Sequence, residues 1–428
     1  MRFKRKDVMT ENKDILIIGG GPVGLSCAYY LLKSGRKVTI LEANQIGKGS
    51  GSGNAGHIVP SHIIPLAAPG VVTSALKWML DPARSPFGMK VSLDPTYLSW
   101  LWQFVSACSQ GNVLRSVKPL KELGHLSAEN FARIIAEEKI ACHYQANGFL
   151  NLYKNQQAFD AGRHEAEFMQ EHGIPVRVYD RSEVHDAEPA AREAVIGGVH
   201  FTGDGHLNPA LFLKALGERV RAMGAEVYEN ASVTGFVSAE GKVRVVESAA
   251  GEFEAGQVIL AAGAWTPIVA RSLNLKIPIQ PARGYSLTAS AIQNMPRQAL
   301  ILGDRRVAVS PLGDLIRVTG RLEVGNYSME PDPRWIARLE NFAREYLRLD
   351  EKLNVKETWA GLRPVTPDGV PIIGFSPKHK NLILATGHAM LGLSLGPGTG
   401  QVVADLANGK TPPLDLHAMS ADFAARRA

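Results

Sequence analysis

The segment Asp14-Ile-Leu-Ile-Ile-Gly19-Gly-Gly21-Pro22-Val23-Gly24 restricts the fold of this chain more than any other stretch. An apolar strand runs into glycines at G-x-G-x-x-G spacing, and a helix follows from Leu25 to Ser34. In that context Gly19 permits the tight turn, Gly21 lets backbone approach a pyrophosphate, and Gly24 allows close packing of helix on strand. The free N–H groups at the start of the helix, and its partial positive charge, suit phosphate oxygens. Lys37 to Leu41 reads as a second strand. Glu42 ends it, at the position where an acid hydrogen-bonds both ribose hydroxyls and disfavours a 2′-phosphate. The expectation is a Rossmann-like nucleotide-binding unit at the start of the chain.

A second signal is Gln257-Val-Ile-Leu-Ala-Ala262-Gly263-Ala-Trp265, an apolar strand that ends in small residues. A bulkier side chain at Ala261, Ala262 or Gly263 would collide with a nucleotide lying across the strand ends. A third is Thr386-Gly387-His388-Ala-Met390-Leu391-Gly392-Leu393, which leads into Gly396-Pro-Gly398-Thr-Gly400 and a final helix expected over Leu393 to Ala407. Such a helix start stabilises the negative charge of a reduced flavin. No second nicotinamide fingerprint follows a strand elsewhere. FAD is therefore the expected acceptor, and a small substrate the hydride donor.

With 428 residues, 45% of them hydrophobic and 21% charged, the chain can bury a large core in two or three domains. No repeat or Pro/Ser-rich linker separates independent units, so the domains must interleave. The expected fold class is α/β, α+β overall. A Rossmann-like FAD-binding domain takes residues 1–60, 190–280 and 355–428, and an antiparallel-sheet substrate domain takes 61–189 and 281–354. Helices are expected over Tyr97 to Phe104, Ala128 to Glu138 and, behind the Asn208-Pro209 cap, up to about Met223. Strands are expected at Ala225 to Tyr228 and Asn381 to Ala385, with Val243 to Glu247, Arg306 to Ser310 and Leu315 to Thr319 in the inserted sheet.

Several residue groups then fall in order along the chain. They are the fingerprint with Glu42, Gly49-Ser50-Gly-Ser52-Gly-Asn54-Ala55-Gly56-His57, Ala261 to Gly263, Arg283-Gly-Tyr285-Ser, Gly361-Leu-Arg363-Pro-Val-Thr-Pro-Asp368-Gly, and Gly387-His388. Together they resemble the D-amino-acid oxidase and glycine oxidase superfamily. Asn54-Ala-Gly, Ala67-Ala-Pro-Gly70, Lys77-Trp78-Met and Arg283-Gly-Tyr-Ser are most similar to the pattern of bacterial D-amino-acid dehydrogenases.

The resemblance spans essentially the whole chain and implies a substrate-domain sheet roofing a flavin ring. It implies that Arg363 pairs with a substrate carboxylate, since a guanidinium's planar fork holds both oxygens. Tyr285 is expected either to cap the substrate or to sit in the core. His57 stands where the best-known dehydrogenases have glutamine, and it either lines the flavin's reactive face or is a structural histidine. At His388 the backbone is expected to matter more than the imidazole. The catalytic candidates are thus Arg363, Tyr285 and His57. Cofactor contacts are expected from Gly19, Gly21, Pro22, Val23, Gly24, Glu42, Ala43, Ser50, Ser52, Asn54, Ala55, Gly56, His57, Val233, Ala262, Gly263, Trp265, Gly361, Arg363, Gly387, His388, Met390, Leu391, Gly392 and Leu393. Covalent flavin attachment is not expected, because no cysteine follows Cys142 and Gly53 stands where some relatives carry a flavin-linking histidine, and a metal site is not expected, because the three cysteines form no C-x-x-C pair.

The activity implied is oxidative deamination of a D-amino acid without a strong general base. The alternatives are a dehydrogenase or oxidase of proline, hydroxyproline, sarcosine or glycine, and a flavin electron carrier without turnover. Against the carrier stands Arg363, which such a protein does not need. A pI near 9.1 raises nucleic-acid binding, but the basic residues form no dense stripe interleaved with aromatics. Arg2, Lys4, Arg5 and Lys6 contribute to that pI and read as a frayed, untargeted N-terminus. Cys27, Cys108 and Cys142 are widely spaced, which fits a reducing cytoplasm. From Ile63 to Cys108 the chain is unusually apolar and holds Trp78, Trp100 and Trp102. Either the tryptophans pack between the domains, or they form a peripheral contact at the inner face of the membrane that hands electrons to a quinone.

Overall fold

The computed structural model describes residues 15–79, 85–90, 92–290, 293–350, 353–423 and 426, with the side chains of 76–79 excepted. The expected frayed N-terminus and the side chain of Trp78 lie outside this set.

Ile15–Ile18 forms the centre of a six-stranded sheet because all four of its residues are buried and apolar. Val38–Leu41 and then Glu226–Tyr228 pair on one side of it, Gln257–Leu260 and then Leu382–Thr386 on the other, all parallel. Ile372–Phe375 adds an antiparallel edge. Strand order therefore reverses at Ile15–Ile18, and crevices at such a reversal, beyond the carboxyl ends of the strands, are where α/β sheets bind ligands. Two helices pack behind this sheet. Gly396–Ala407 lies so close to Pro22–Lys33 that a Cβ on Gly400 would come within 2.5 Å of the Ser26 backbone.

The second sheet has nine strands and is largely antiparallel. Asn354–Val365, Gln280–Ser290, Leu315–Val324 and Val307–Leu312 follow one another across it, then Ala299–Leu302, Phe149–Tyr153, Gly197–Phe201 and Val176–Asp180. The short strand Phe87–Met89 pairs with Leu315–Val324. The helix Pro333–Tyr346 covers one face of this sheet through Trp335, Leu339, Phe342 and Ala343. Val243 to Glu247 does not join it. The strand Lys242–Ser248 instead forms a separate three-stranded meander with Val233–Ala239 and Gly251–Glu254, because the intervening turns are short enough for neighbours in sequence to pair.

The helix caps explain several boundaries. Asn208 accepts from the N–H groups of Ala210 and Leu211 and opens Pro209–Ala222. Asp94 accepts from Thr96 and Tyr97 and opens Pro95–Ala107. The helix expected from Ala128 begins much earlier, at Gln110, and runs to Glu137 through Pro119. Proline normally interrupts a helix. Here Val113, Val117, Leu120, Leu123, Phe131 and Ile134 bury a continuous apolar face, which sustains the helix across that residue. The last helix begins at Gly396 rather than Leu393, after a short 3-10 turn at Ala389–Leu391.

Candidate active site

A cavity of about 1160 Å³ runs from the glycine-rich turn, across the carboxyl ends of the parallel strands, to the face of the antiparallel sheet. At its nucleotide end Gly19 has φ +108°, and a Cβ there would meet the Ala261 carbonyl at 2.5 Å. A Cβ on Gly24 would lie 1.9 Å from the Gly19 carbonyl oxygen, so only glycine lets the helix start this close to the strand. Nothing stands within 4 Å of where a Gly21 side chain would project, which leaves the turn open toward the cavity. Glu42 accepts from Gly20 N–H at 2.7 Å through one oxygen and from Asn44 N–H at 2.9 Å through the other. These features fit a dinucleotide. Gly19, Gly21 and the helix start would hold its pyrophosphate, and Glu42 its ribose.

The loop from Gly49 to Gly56 is fixed from both sides. Ser50 Oγ accepts from Leu362 N–H at 3.0 Å, and Asn54 accepts from Gly56 N–H at 2.8 Å and donates to the Met390 carbonyl at 3.4 Å. Arg317, 4% exposed, donates to the carbonyls of Ser52 at 2.6 Å and Asn54 at 3.0 Å, and also binds Thr288 and Glu357. The Trp359 indole covers Gly53 so closely that a Cβ there would come within 2.1 Å of the ring, leaving no room for a side chain at that position.

Most expected contacts line the cavity: Pro22, Val23, Ala43, Ser50, Asn54, Ala55, His57, Val233, Ala262, Gly263, Trp265, Gly361, Arg363, His388, Met390, Leu391, Gly392 and Leu393 join Gly19, Gly21 and Glu42. Gly24, Ser52, Gly56 and Gly387 do not. Gly24 packs behind the turn. Ser52 contributes its carbonyl to Arg317, and its hydroxyl folds back onto Lys48 and Gly49. Gly56 presses on the Leu207 carbonyl and Gly387 on the Thr366 side chain.

Arg363 projects from Asn354–Val365 over Gly284, where a Cβ would lie 2.0 Å from its guanidinium. Its Nη1 donates to the Arg321 carbonyl at 2.8 Å, and no acidic side chain among the described residues pairs with it. Burial lowers its pKa to about 10, so it remains a cation at neutral pH. Among the described residues lining the cavity, Glu42 is the only carboxylate.

His57 places Nε2 2.8 Å from Ser310 Oγ and packs edge-on against Phe149. Burial, with His206 and His62 nearby, lowers its pKa to about 3, so the ring is neutral. His388 is buried with Nε2 2.9 Å from Thr399 Oγ1, and thus ties the glycine loop to the last helix.

Tyr285 does not reach the cavity. Neighbouring strand residues point to opposite faces, and with Gly284 facing Arg363 the Tyr285 ring enters the core under helix Pro333–Tyr346. Its hydroxyl donates to Glu323, which also pairs with Arg283. Trp100 is likewise structural: it is 3% exposed, donates to the Val365 carbonyl and stacks on Phe104.

Lys48, His62, Thr319, Arg321 and Trp359 line the cavity without having been expected there. The period of two along a strand puts Trp359 on the face of Gly361 and Arg363, a signal readable in the sequence. His62 and Arg321 belong to no motif, and only folding brings them in.

The family model described as FAD dependent oxidoreductase, DAO, matches residues 14–406. The chain belongs to this family. It is therefore an FAD-dependent oxidoreductase, and the residues at the nucleotide end of the cavity fit that cofactor. The chain is 32% identical to a D-amino acid dehydrogenase of a Methylobacterium species over 96% of its own length and 98% of the relative's. Glycine oxidase from Geobacillus kaustophilus shares the fold with a TM-score of 0.79 at 23% identity, over 97% of this chain and 99% of that one. L-proline dehydrogenase from P. horikoshii does so with a TM-score of 0.75 at 20% identity, over 97% and 99%. The DAO-type α/β fold and the use of FAD expected from the sequence are borne out.

Proposed function

We propose that this family member oxidises a D-amino acid at the carbon bearing the amine, giving an imine that water hydrolyses to the 2-oxo acid and ammonia. The observation that carries the reading is Arg363, a half-buried cation facing the cavity without an acidic partner among the described residues. A buried charge is costly unless paired. The carboxylate of an amino acid supplies the missing partner, and Arg363 holds it in a bidentate pair. FAD supplies, when bound, an acceptor at N5 for the hydride leaving the α-carbon. The chain's own residues orient the substrate and exclude water, and the absence of a carboxylate at the Arg363 end among the described residues agrees with chemistry that needs no strong general base. Relatives named D-amino acid dehydrogenase support the substrate class.

The proposed acceptor is a quinone or an electron-transfer dye rather than oxygen. Helix Pro95–Ala107 lines the cavity through Phe104 and displays Leu98, Trp102 and Val105 at helical spacing on its outer side, with Trp102 67% exposed. No helix among the described residues is long and apolar enough to cross a membrane, so the contact proposed is peripheral. Dye reduction and peroxide formation compared at matched substrate test this point. Peroxide appearing as fast as dye is reduced would overturn it. A second reading, oxidation of a secondary amine such as proline or sarcosine, draws support from the likeness to L-proline dehydrogenase. Turnover on D-alanine, D-proline, sarcosine and glycine separates the two.

A further inference from the structure

His57 and His62 line one end of the cavity, and the fully buried His206 stands opposite His57, outside that lining. The strand pair His57–Ile58 and Gly205–His206 sets His57 directly opposite His206. Phe149 receives the edges of both His57 and His62, at 4.9 and 5.9 Å between ring centroids. The loop carrying His62 is anchored one residue earlier, where Asp204 accepts from Ser61 N–H at 3.1 Å and from Ser61 Oγ at 2.5 Å. Only His57 Nε2 has a side-chain partner, Ser310. His57 Nδ1 and both ring nitrogens of His62 and His206 have none among the described residues, although His206 is fully buried.

Burial lowers the pKa of His57 to about 3 and of His62 and His206 to about 4. All three rings are neutral at pH 7, and each neutral ring carries one donor and one acceptor. Such a group matches a hydroxyl, which also donates and accepts. It offers no fixed charge to a second carboxylate, and an alkyl group would leave its nitrogens unpaired, which is costly in a buried site.

We propose that the end of the cavity lined by His57 and His62 is a subsite for a neutral hydroxyl on the substrate, with His62 the specificity-determining residue and His57 held ready by Ser310. The inference rests on the reading that the cavity takes an amine carrying a carboxylate. It narrows that class to hydroxylated amino or imino acids, preferred over their plain counterparts.

The test uses the FAD-loaded full chain with a dye acceptor on matched pairs: D-serine and D-alanine, D-threonine and D-valine, cis-4-hydroxy-D-proline and D-proline. The hydroxylated member is expected to have the higher kcat/KM in at least one pair, by about tenfold or more. His62→Leu is expected to erase that preference mainly through KM, and His62→Gln to restore part of it. A readout free of turnover is the perturbation of the flavin's visible band by 3-hydroxybutyrate against butyrate, where tighter binding of the hydroxy acid should vanish in His62→Leu. Equal kcat/KM within every pair, or a preference unchanged in His62→Leu, overturns the subsite while leaving amine oxidation standing. Failure of every amine to reduce the flavin removes the underlying reading, and the subsite with it.

Discussion

At the residue scale, the outcome turns on which side chains lack partners. Arg363 was legible in the sequence through Gly361-Leu-Arg363-Pro, and the fold leaves its guanidinium without an acidic neighbour among the described residues. Truncating one partner of a buried charge pair costs roughly 2 to 5 kcal/mol. Arg363→Ala is therefore expected to raise the substrate KM or Kd by about 30-fold or more, with FAD affinity changed little, as steady-state kinetics and flavin titration would show. Arg363→Lys should recover part of the loss, because it restores charge but not the planar fork. Unchanged KM in Arg363→Ala would remove the residue from the substrate site. Tyr285 was not legible in the same way. Its neighbours in sequence suggested a site residue, but its role is decided by which strand face it takes, and pairing with Glu323 under a helix is a property of the folded sheet.

Between elements, the loop from Gly49 to Gly56 and the antiparallel sheet act as one unit through Arg317. That side chain donates to two loop carbonyls, to Thr288 and to Glu357. Arg317→Met removes these donors and leaves carbonyls without partners. FAD affinity is expected to fall at least about tenfold, measured by fluorescence titration of the stripped protein; an unaltered Kd would show that the loop holds itself. Asp204 anchors the neighbouring loop. Burial raises its pKa to about 7 despite two hydrogen bonds from Ser61. Its folded-state pKa lies above the unfolded value, so its contribution to stability is complete below about pH 4 and is lost as pH rises through 7, on the order of 4 kcal/mol. Asp204→Asn should consequently gain in melting temperature relative to the parent between about pH 5 and pH 8. A difference independent of pH would place the proton elsewhere.

Some element boundaries were readable from their caps, as at Asn208-Pro209, whereas those capped by Asp94 and Ser109 went unread. They failed where tertiary burial overrode a local signal, as at Pro119, and where pairing between sequence neighbours took Val243 to Glu247 out of the large sheet.

For the whole molecule, the reversal of strand order at Ile15–Ile18 sets the crevice that fits a nucleotide, and the second sheet closes the cavity on its other side. The first of these was visible in the sequence because a phosphate-binding turn demands particular residue types at fixed spacing. The second was visible only as a resemblance, since no local rule dictates that Arg363, His62 and Trp359 should face one space. The packing of Trp359 over Gly53 agrees with a flavin held without a covalent bond, so acid precipitation is expected to release all of the FAD into the supernatant. Flavin retained in the pellet would contradict this. The central claim, that the cavity oxidises D-amino acids held by Arg363, is tested most directly by mixing the FAD-loaded protein with D-amino acids in the absence of oxygen and following the flavin's visible band. The account predicts that at least one D-amino acid bleaches the band while its L-enantiomer does not, and that Arg363→Ala needs about 30-fold more substrate for the same effect. A band that keeps its full height with every D-amino acid contradicts the claim.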